Sequence, residues 1–339
     1  MSPCRGRSSR GSGAFCSQGN CNPGGKPEER RRNGGKVTPS SVARLKALVA
    51  VIVWGASFPS AKVAVGEVSF TTLIWLRFGS GLLVLFLFLA IRGKIRLLPL
   101  REAVTFAALG FLGVFFHNSI QAYALQTVSA GMSGLIIAAN PIAIALLGSL
   151  LLSEPLGKAK ITGILLAACG VLVIISRGNI SVFLQREYSF GELVMVLSVF
   201  SWGFFSVLSR KALQRTSPEL GMTYALTFGW LFSILPFLAN GGLAELPSVS
   251  GKAWANILFL GILCSALAYL FWYDALQVLP ASEVGVFLYV NPVVAVIISA
   301  LFLGESVSAS MLFGGAMVFS GVWCVNSLSR MQEKRRKRA

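Results

Sequence analysis

One phrase is written twice in this chain. Ala124-Leu125-Gln126 with Asn140-Pro141 returns as Ala275-Leu276-Gln277 with Asn291-Pro292, each residue displaced by 151 positions. The same displacement carries Glu154 to Glu305, Gly163 to Gly314 and Gly170 to Gly321. Nearer the start, Trp54-Gly55 and Lys62 match Trp202-Gly203 and Arg210 at a displacement of 148. Both copies lie within long apolar runs, so the chain reads as two related bundles of helices folded around a shared centre.

The solvent for those bundles is lipid. Of 339 residues 55% are hydrophobic and only 13% charged, with a mean hydropathy of +0.71, more apolar surface than a water-soluble core could hide. Apolar stretches of about 20 residues follow one another with short breaks, each long enough to cross a bilayer as a helix. The runs are continuous rather than alternating, which excludes a transmembrane barrel. Helices are expected near 46–64, 70–91, 103–123, 128–151, 160–176, 190–209, 221–238, 253–273, 282–303 and 311–328. The expected fold is an all-α integral membrane protein of ten transmembrane helices.

Basic residues set the direction. The net charge of +17 is concentrated where a membrane protein places it: Arg30 to Arg32 and Lys36 precede the first span, and Lys334 to Arg338 follow the last. Both groups read as flanks held against an anionic leaflet, and nucleic acid is not expected as a partner. With both termini inside, the internal loops hold Arg92, Lys94, Arg96, Arg101, Lys158, Lys160, Arg210, Lys211 and Arg215, against Lys62, Arg177, Arg186 and Lys252 outside. Five helices per repeat force the second copy to enter the membrane upside down, giving two inverted five-helix repeats. The loop after Glu154 carries Lys158 and Lys160, whereas the loop after Glu305 carries no lysine or arginine, the imprint expected of opposite orientations. The organisation expected is a disordered basic tail over 1–43, repeats over 44–180 and 188–328, and a second basic tail over 329–339.

Together these features resemble the EamA-type transporters of the drug/metabolite transporter superfamily. The match rests on Trp54-Gly55-Ala56-Ser57-Phe58-Pro59, Arg77-Phe78, Ala124-Leu125-Gln126 and Asn140-Pro141, continued by Ala281-Ser282, Asn291-Pro292 and Leu303-Gly304-Glu305. The resemblance implies a carrier of small organic solutes, such as an exporter of amino acids or related metabolites. It also implies a plasma (inner) membrane location, cytoplasmic termini and a central cavity between the halves. The chain departs from a common pattern at Asn291, where many relatives carry a glutamate, so a proton-coupling role for that position has no home here. A uniporter and proton exchange through other groups both stay open, as does a nucleoside, sugar or other metabolite as solute. A non-transporting scaffold is the weaker alternative.

Polar side chains inside apolar helices are the candidates for the site. A charge at bilayer depth is costly, so Arg77 must either reach into a cavity or fix helix packing, and the packing reading is adopted. Asn118 and Gln121 share a face of the third helix, and Asn140 and Asn291 precede the prolines. With Trp54, Trp202 and Tyr289 as flat walls, these residues form the expected substrate site. Tyr269, Trp272 and Tyr273 are weaker wall candidates. Pro141 and Pro292 are expected to kink their helices and serve as gating or packing elements, and Gly163 and Gly314 to allow close packing or a dimer surface. Glu154, Asp274, Glu283 and Glu305 lie at helix ends, where they cap, pair or control closure.

No enzyme is expected. His117 is the single histidine, which rules out a histidine metal cluster and a catalytic triad by counting. Cys4, Cys16 and Cys21 in the tail and Cys169, Cys264 and Cys324 in helices have no metal or disulfide spacing. No phosphate-binding glycine loop occurs, so neither ATP nor another cofactor is expected. The expected partners are the solute and membrane lipids, the protein being a monomer or homodimer.

Overall fold

A computed structural model describes residues 39–124, 127–128, 136–176, 181, 190–294, 297 and 309–336. Residues 1–38, Leu125-Gln126, Arg177, Arg186, Glu187 and Leu303-Gly304-Glu305 lie outside the described residues. Among those described, every regular element is helical.

The described chain opens with two helices, α1 (Pro39–Gly55) and α2 (Ser57–Val65), separated at Ala56. Then come α3 (Phe70–Ile91), α4 (Leu100–Ala124), α5 (Asn140–Leu152) and α6 (Lys158–Ser176). The second half supplies α7 (Phe190–Ala212), α8 (Pro218–Ala239), α9 (Gly251–Val278), α10 (Ala281–Val294) and α11 (Ala309–Arg336). Five of these, α3, α4, α7, α8 and α9, are long and apolar enough to cross a membrane. Leu83, Leu150, Leu235 and Trp323 stand exposed on the outer surface, where hydrocarbon is their natural solvent.

Polar side chains cap two of the helix starts. Ser69 begins α3 in extended backbone and its hydroxyl accepts from the Thr72 amide at 3.3 Å, and Ser250 caps α9 through the Ala253 amide at 3.1 Å. Each cap is braced from the other half. Glu245 accepts from the Ser69 amide at 2.9 Å, and Glu67 accepts from the Ser250 amide and hydroxyl at 2.9 and 2.8 Å. The Ser250 amide and hydroxyl hold the Glu67 carboxyl below the usual carboxylate range. At the far end, α11 continues through Arg336, so the first part of the basic tail prolongs the last helix. Its Arg, Met, Gln, Glu and Lys residues favour helix, and neither Gly nor Pro interrupts them.

Close helix crossings come in matched pairs. Gly81 on α3 packs against the Gly261 carbonyl of α9, where an added Cβ would lie 2.7 Å away, and Gly229 on α8 packs against the Gly110 carbonyl of α4 at 3.0 Å. Gly110 opens a π turn over Gly110–Phe116 and Gly261 is the second residue of another over Leu260–Leu267, with i to i−5 bonds from His117 to Leu112 and from Ala268 to Leu263. Gly163 meets the Gly321 carbonyl at 2.9 Å, and Gly170 meets the Gly314 carbonyl at 2.6 Å. Because the partner number falls as the first rises, α6 and α11 run antiparallel. Gly163 and Gly314 are therefore consumed inside one chain, and their small faces are not free for a dimer.

Each proline follows a break in its helix. A turn at Ala138-Ala139 breaks the fourth helix before Asn140, and Pro141 sits in the first turn of α5, where no intrahelical bond is lost to the missing amide. In α10 the tightening also precedes the proline, as a 3-10 turn over Val286–Tyr289. Both Asn-Pro pairs thus follow a discontinuity in the preceding turn, the side on which a proline's ring and missing amide disturb a helix.

Candidate functional site

A cavity of about 470 Å³ runs from the centre of the bundle to the turn between α2 and α3. Its floor is aromatic. The Trp54 ring lies 5.3 Å from Trp202 and 5.3 Å from Tyr269, both edge-on, and His117 lies 4.9 Å from Trp202. These geometries suit the ring quadrupoles and hold each plane against rotation. The indole of Trp54 is spent on the Cys264 carbonyl at 2.9 Å, whereas the buried Trp202 Nε1 has no partner. His117 Nδ1 lies 3.1 Å from the Ser198 carbonyl; as that atom only accepts, Nδ1 carries the proton and Nε2 is left to accept in the neutral ring.

The polar wall comes from both halves. Asn118 donates to the Val114 carbonyl at 2.9 Å and to the Tyr269 hydroxyl at 3.2 Å, and that hydroxyl donates to the Gly113 carbonyl at 3.2 Å. The acceptors Gly113 and Val114 belong to the π turn of α4, whose altered carbonyl directions bring them within reach. Gln121 lies one turn beyond. Across the cavity stand Asn140 and Asn291, each with a buried Oδ1 that lacks a partner, so neither oxygen bonds the helix break beside it. A buried unpaired acceptor costs about 1–3 kcal/mol, a cost that a ligand donor or water would remove.

Six of the seven expected substrate residues line this space: Trp54, Asn118, Gln121, Asn140, Trp202 and Asn291. Tyr289 does not. It is fully buried behind the wall, its hydroxyl unpartnered. Tyr269 takes the place on the wall expected of Tyr289, and a signal for it was present, since the 151 displacement maps Asn118 onto Tyr269. Arg77 also lines the cavity. Its Nε donates to the Ser265 hydroxyl at 2.7 Å, and its guanidinium lies 5.1 Å from the Phe78 ring centre.

The opposite end is shut. Arg44 meets Glu283 through Nε at 2.7 Å and Nη2 at 2.6 Å, both side chains buried. Glu154 accepts from the amides of Ala281 at 2.7 Å and Ser282 at 3.0 Å and from the Ser282 hydroxyl at 2.6 Å, and pairs with Arg210 at 3.1 Å. Arg210 also reaches the carbonyls of Leu276 and Leu279, Lys160 donates to Ser282 at 2.8 Å, and Lys46 pairs with Asp274. Ser153 makes the Glu154 contacts reachable: it ends α5 in the left-handed region (φ 53°), turning the chain back over Gly148.

An all-helical, multi-pass membrane protein with a polar and aromatic chamber at its centre belongs to the class of solute transporters. The chain is a member of the EamA-like transporter family, whose pattern matches residues 42–176 and again 189–327. It is 28% identical to the uncharacterized transporter YyaM of Bacillus subtilis, over 83% of this chain and 92% of that protein. A probable amino-acid metabolite efflux pump of Salmonella typhimurium is 27% identical over 82% of this chain and 92% of its own length. One solved crystal structure shares the fold, with a TM-score of 0.72 and 23% identity over 86% of this chain and all of the other.

Proposed function

We propose that this protein is a secondary transporter that exports a small organic solute, an amino acid or related metabolite with an aromatic or similarly flat body, by alternating access. The observation that carries this reading is the position of the cavity floor, where equivalent residues of the two repeats touch: Trp54 against Trp202 and Asn118 against Tyr269. Contacts between repeat-mates occur where a pseudo-two-fold axis passes. The same axis accounts for the crossings, since Gly81 with Gly261 and Gly229 with Gly110 exchange under the two displacements, as do Gly163 with Gly321 and Gly314 with Gly170. Antiparallel α6 and α11 support ten spans as two inverted five-helix units. The Salmonella relative supports amino-acid metabolites as the solute class.

In this reading the cavity faces outward and the latch of Arg44, Glu283, Glu154 and Arg210 closes the cytoplasmic side, where both termini lie, at the plasma (inner) membrane. Exchange of the two arrangements brings the mates of the cavity residues, among them Ser209, Trp272 and Tyr273, to an inward-facing wall. They are fully buried in this state. Thr127 and Gln277 then label from opposite sides of the membrane when each is made the sole cysteine, and labelling from one side would sink the inverted arrangement.

Counterflow into proteoliposomes tests the function. Trp202→Phe keeps most of the ring area and removes the unpartnered Nε1 donor, so flux of an aromatic solute is expected to fall about fivefold to tenfold, the worth of one hydrogen bond. Wild-type flux in a folded variant would remove Trp202 from the site.

A further inference from the structure

Among the described residues the wall of the cavity is charged at one place. Among the described lining residues Arg77 is the sole permanent charge, and no carboxylate lines the space. The described acidic groups at that end are engaged elsewhere: Glu67 and Glu245 brace Ser250 and Ser69, and Glu192 is buried at the start of α7. Nor does any described carboxylate form an ion pair with Arg77. Ser265 takes only its Nε–H, orienting the fork and leaving both terminal nitrogens to serve a planar anion. The repeat-mate of Arg77 at a displacement of 148 is Ala225, so this charge has no counterpart on the other half of the route.

A cation kept at bilayer depth with no counter-ion among the described residues calls for an anion to accompany it. The remaining polar groups are neutral. The unpartnered oxygens of Asn140 and Asn291 accept from an amide or indole N–H, but carry no charge to balance an ammonium. We infer that the solute is a monocarboxylate whose carboxylate docks on Arg77, with a flat apolar body on Trp54 and Trp202 and no free ammonium: an aromatic organic acid or an N-acyl amino acid. This narrows the proposed function and rests on it, and it turns Arg77 from a packing residue into a specificity-determining one.

Four probes that share one ring separate the possibilities by charge: N-acetylphenylalanine, its uncharged amide, free phenylalanine and phenethylamine. Their affinities for the purified protein are read from tryptophan fluorescence, and their counterflow from proteoliposomes. N-acetylphenylalanine is expected to bind at least about tenfold more tightly than its amide or phenylalanine, with phenethylamine weakest. Arg77→Gln should abolish that ranking and Arg77→Lys retain part of it. If Arg77→Gln does not fold, the ranking in the unmodified protein decides alone. Equal affinity of acid and amide, or tighter binding of phenylalanine, overturns the inference while leaving transport standing. Charge-selective binding without counterflow of any probe overturns the transporter reading and leaves the Arg77 assignment in place.

Discussion

Glu154→Gln is expected to release the closed end of the molecule. In the native chain its carboxylate receives two backbone amides, one hydroxyl and the Arg210 guanidinium, joining the end of α5 to the start of α10 and to α7. The amide replacement keeps the shape, removes the charge and turns an N–H group toward donors. Losing one partner of a largely buried ion pair costs about 3–5 kcal/mol, and Arg210, at 22% exposure, brings this site to the lower figure. A change of about 3 kcal/mol shifts a two-state equilibrium by roughly two orders of magnitude. A cysteine placed at Ser209, fully buried here, should therefore react with an impermeant thiol reagent from the cytoplasmic side up to about a hundredfold faster in the Glu154→Gln background than without it. Unchanged reactivity in a folded variant would mean that the Glu154 contacts are structural and do not govern access. Asp274→Asn is the control: its partner Lys46 is 35% exposed, and a pair this open contributes about 0–1 kcal/mol.

The largest loss of stability is expected at the paired glycine crossings. In Gly110→Val the new Cβ falls against the Ala225 carbonyl and 2.8 Å from the Gly229 amide, both backbone atoms that cannot rotate away. Overpacking of this kind costs about 1–3 kcal/mol where side chains can yield, and more where only backbone can move. Gly110→Val should abolish the folded protein recovered from membranes. Gly261→Ala, whose Cβ meets the Ser80 hydroxyl and, at 2.6 Å, the Arg77 carbonyl, should lower the melting temperature markedly. Gly315→Ala, with its nearest neighbour at 3.9 Å, should melt with the parent. A parent-like melt for Gly261→Ala would show that α3 and α9 can separate without cost, which the crossing forbids.

The boundaries of α3 at Phe70 and Ile91 agree with the apolar run, while α4 and α9 begin a few residues before theirs because first-turn residues such as Arg101, Glu102 and Lys252 are polar and invisible to hydropathy. The doubled spacing marked Trp54, Trp202, Asn140 and Asn291, which meet in the cavity. It also ties Tyr269 to Asn118, but type and neighbourhood favour Tyr289 equally, since both are tyrosines in apolar helices beside repeated motifs, and which one faces the chamber depends on how each helix is rotated. The π turns at Gly110 and Gly261 were equally hidden, because one glycine in an apolar helix has no local signature of a shifted bonding pattern. Nothing near Arg77 in the chain shows what its guanidinium meets, since its partner Ser265 is 188 residues away.

Length and hydrophobicity act within one helix, so by themselves they determined that this chain spans a membrane many times, and the repeat determined that it does so as two related bundles. Which polar atoms are left without partners, and which end of the chamber is latched, are decided by helices far apart in sequence, as when Arg44 meets Glu283 across 239 positions. Only the tertiary structure carries that information, because burial and pairing are properties of the assembled bundle and of no segment alone.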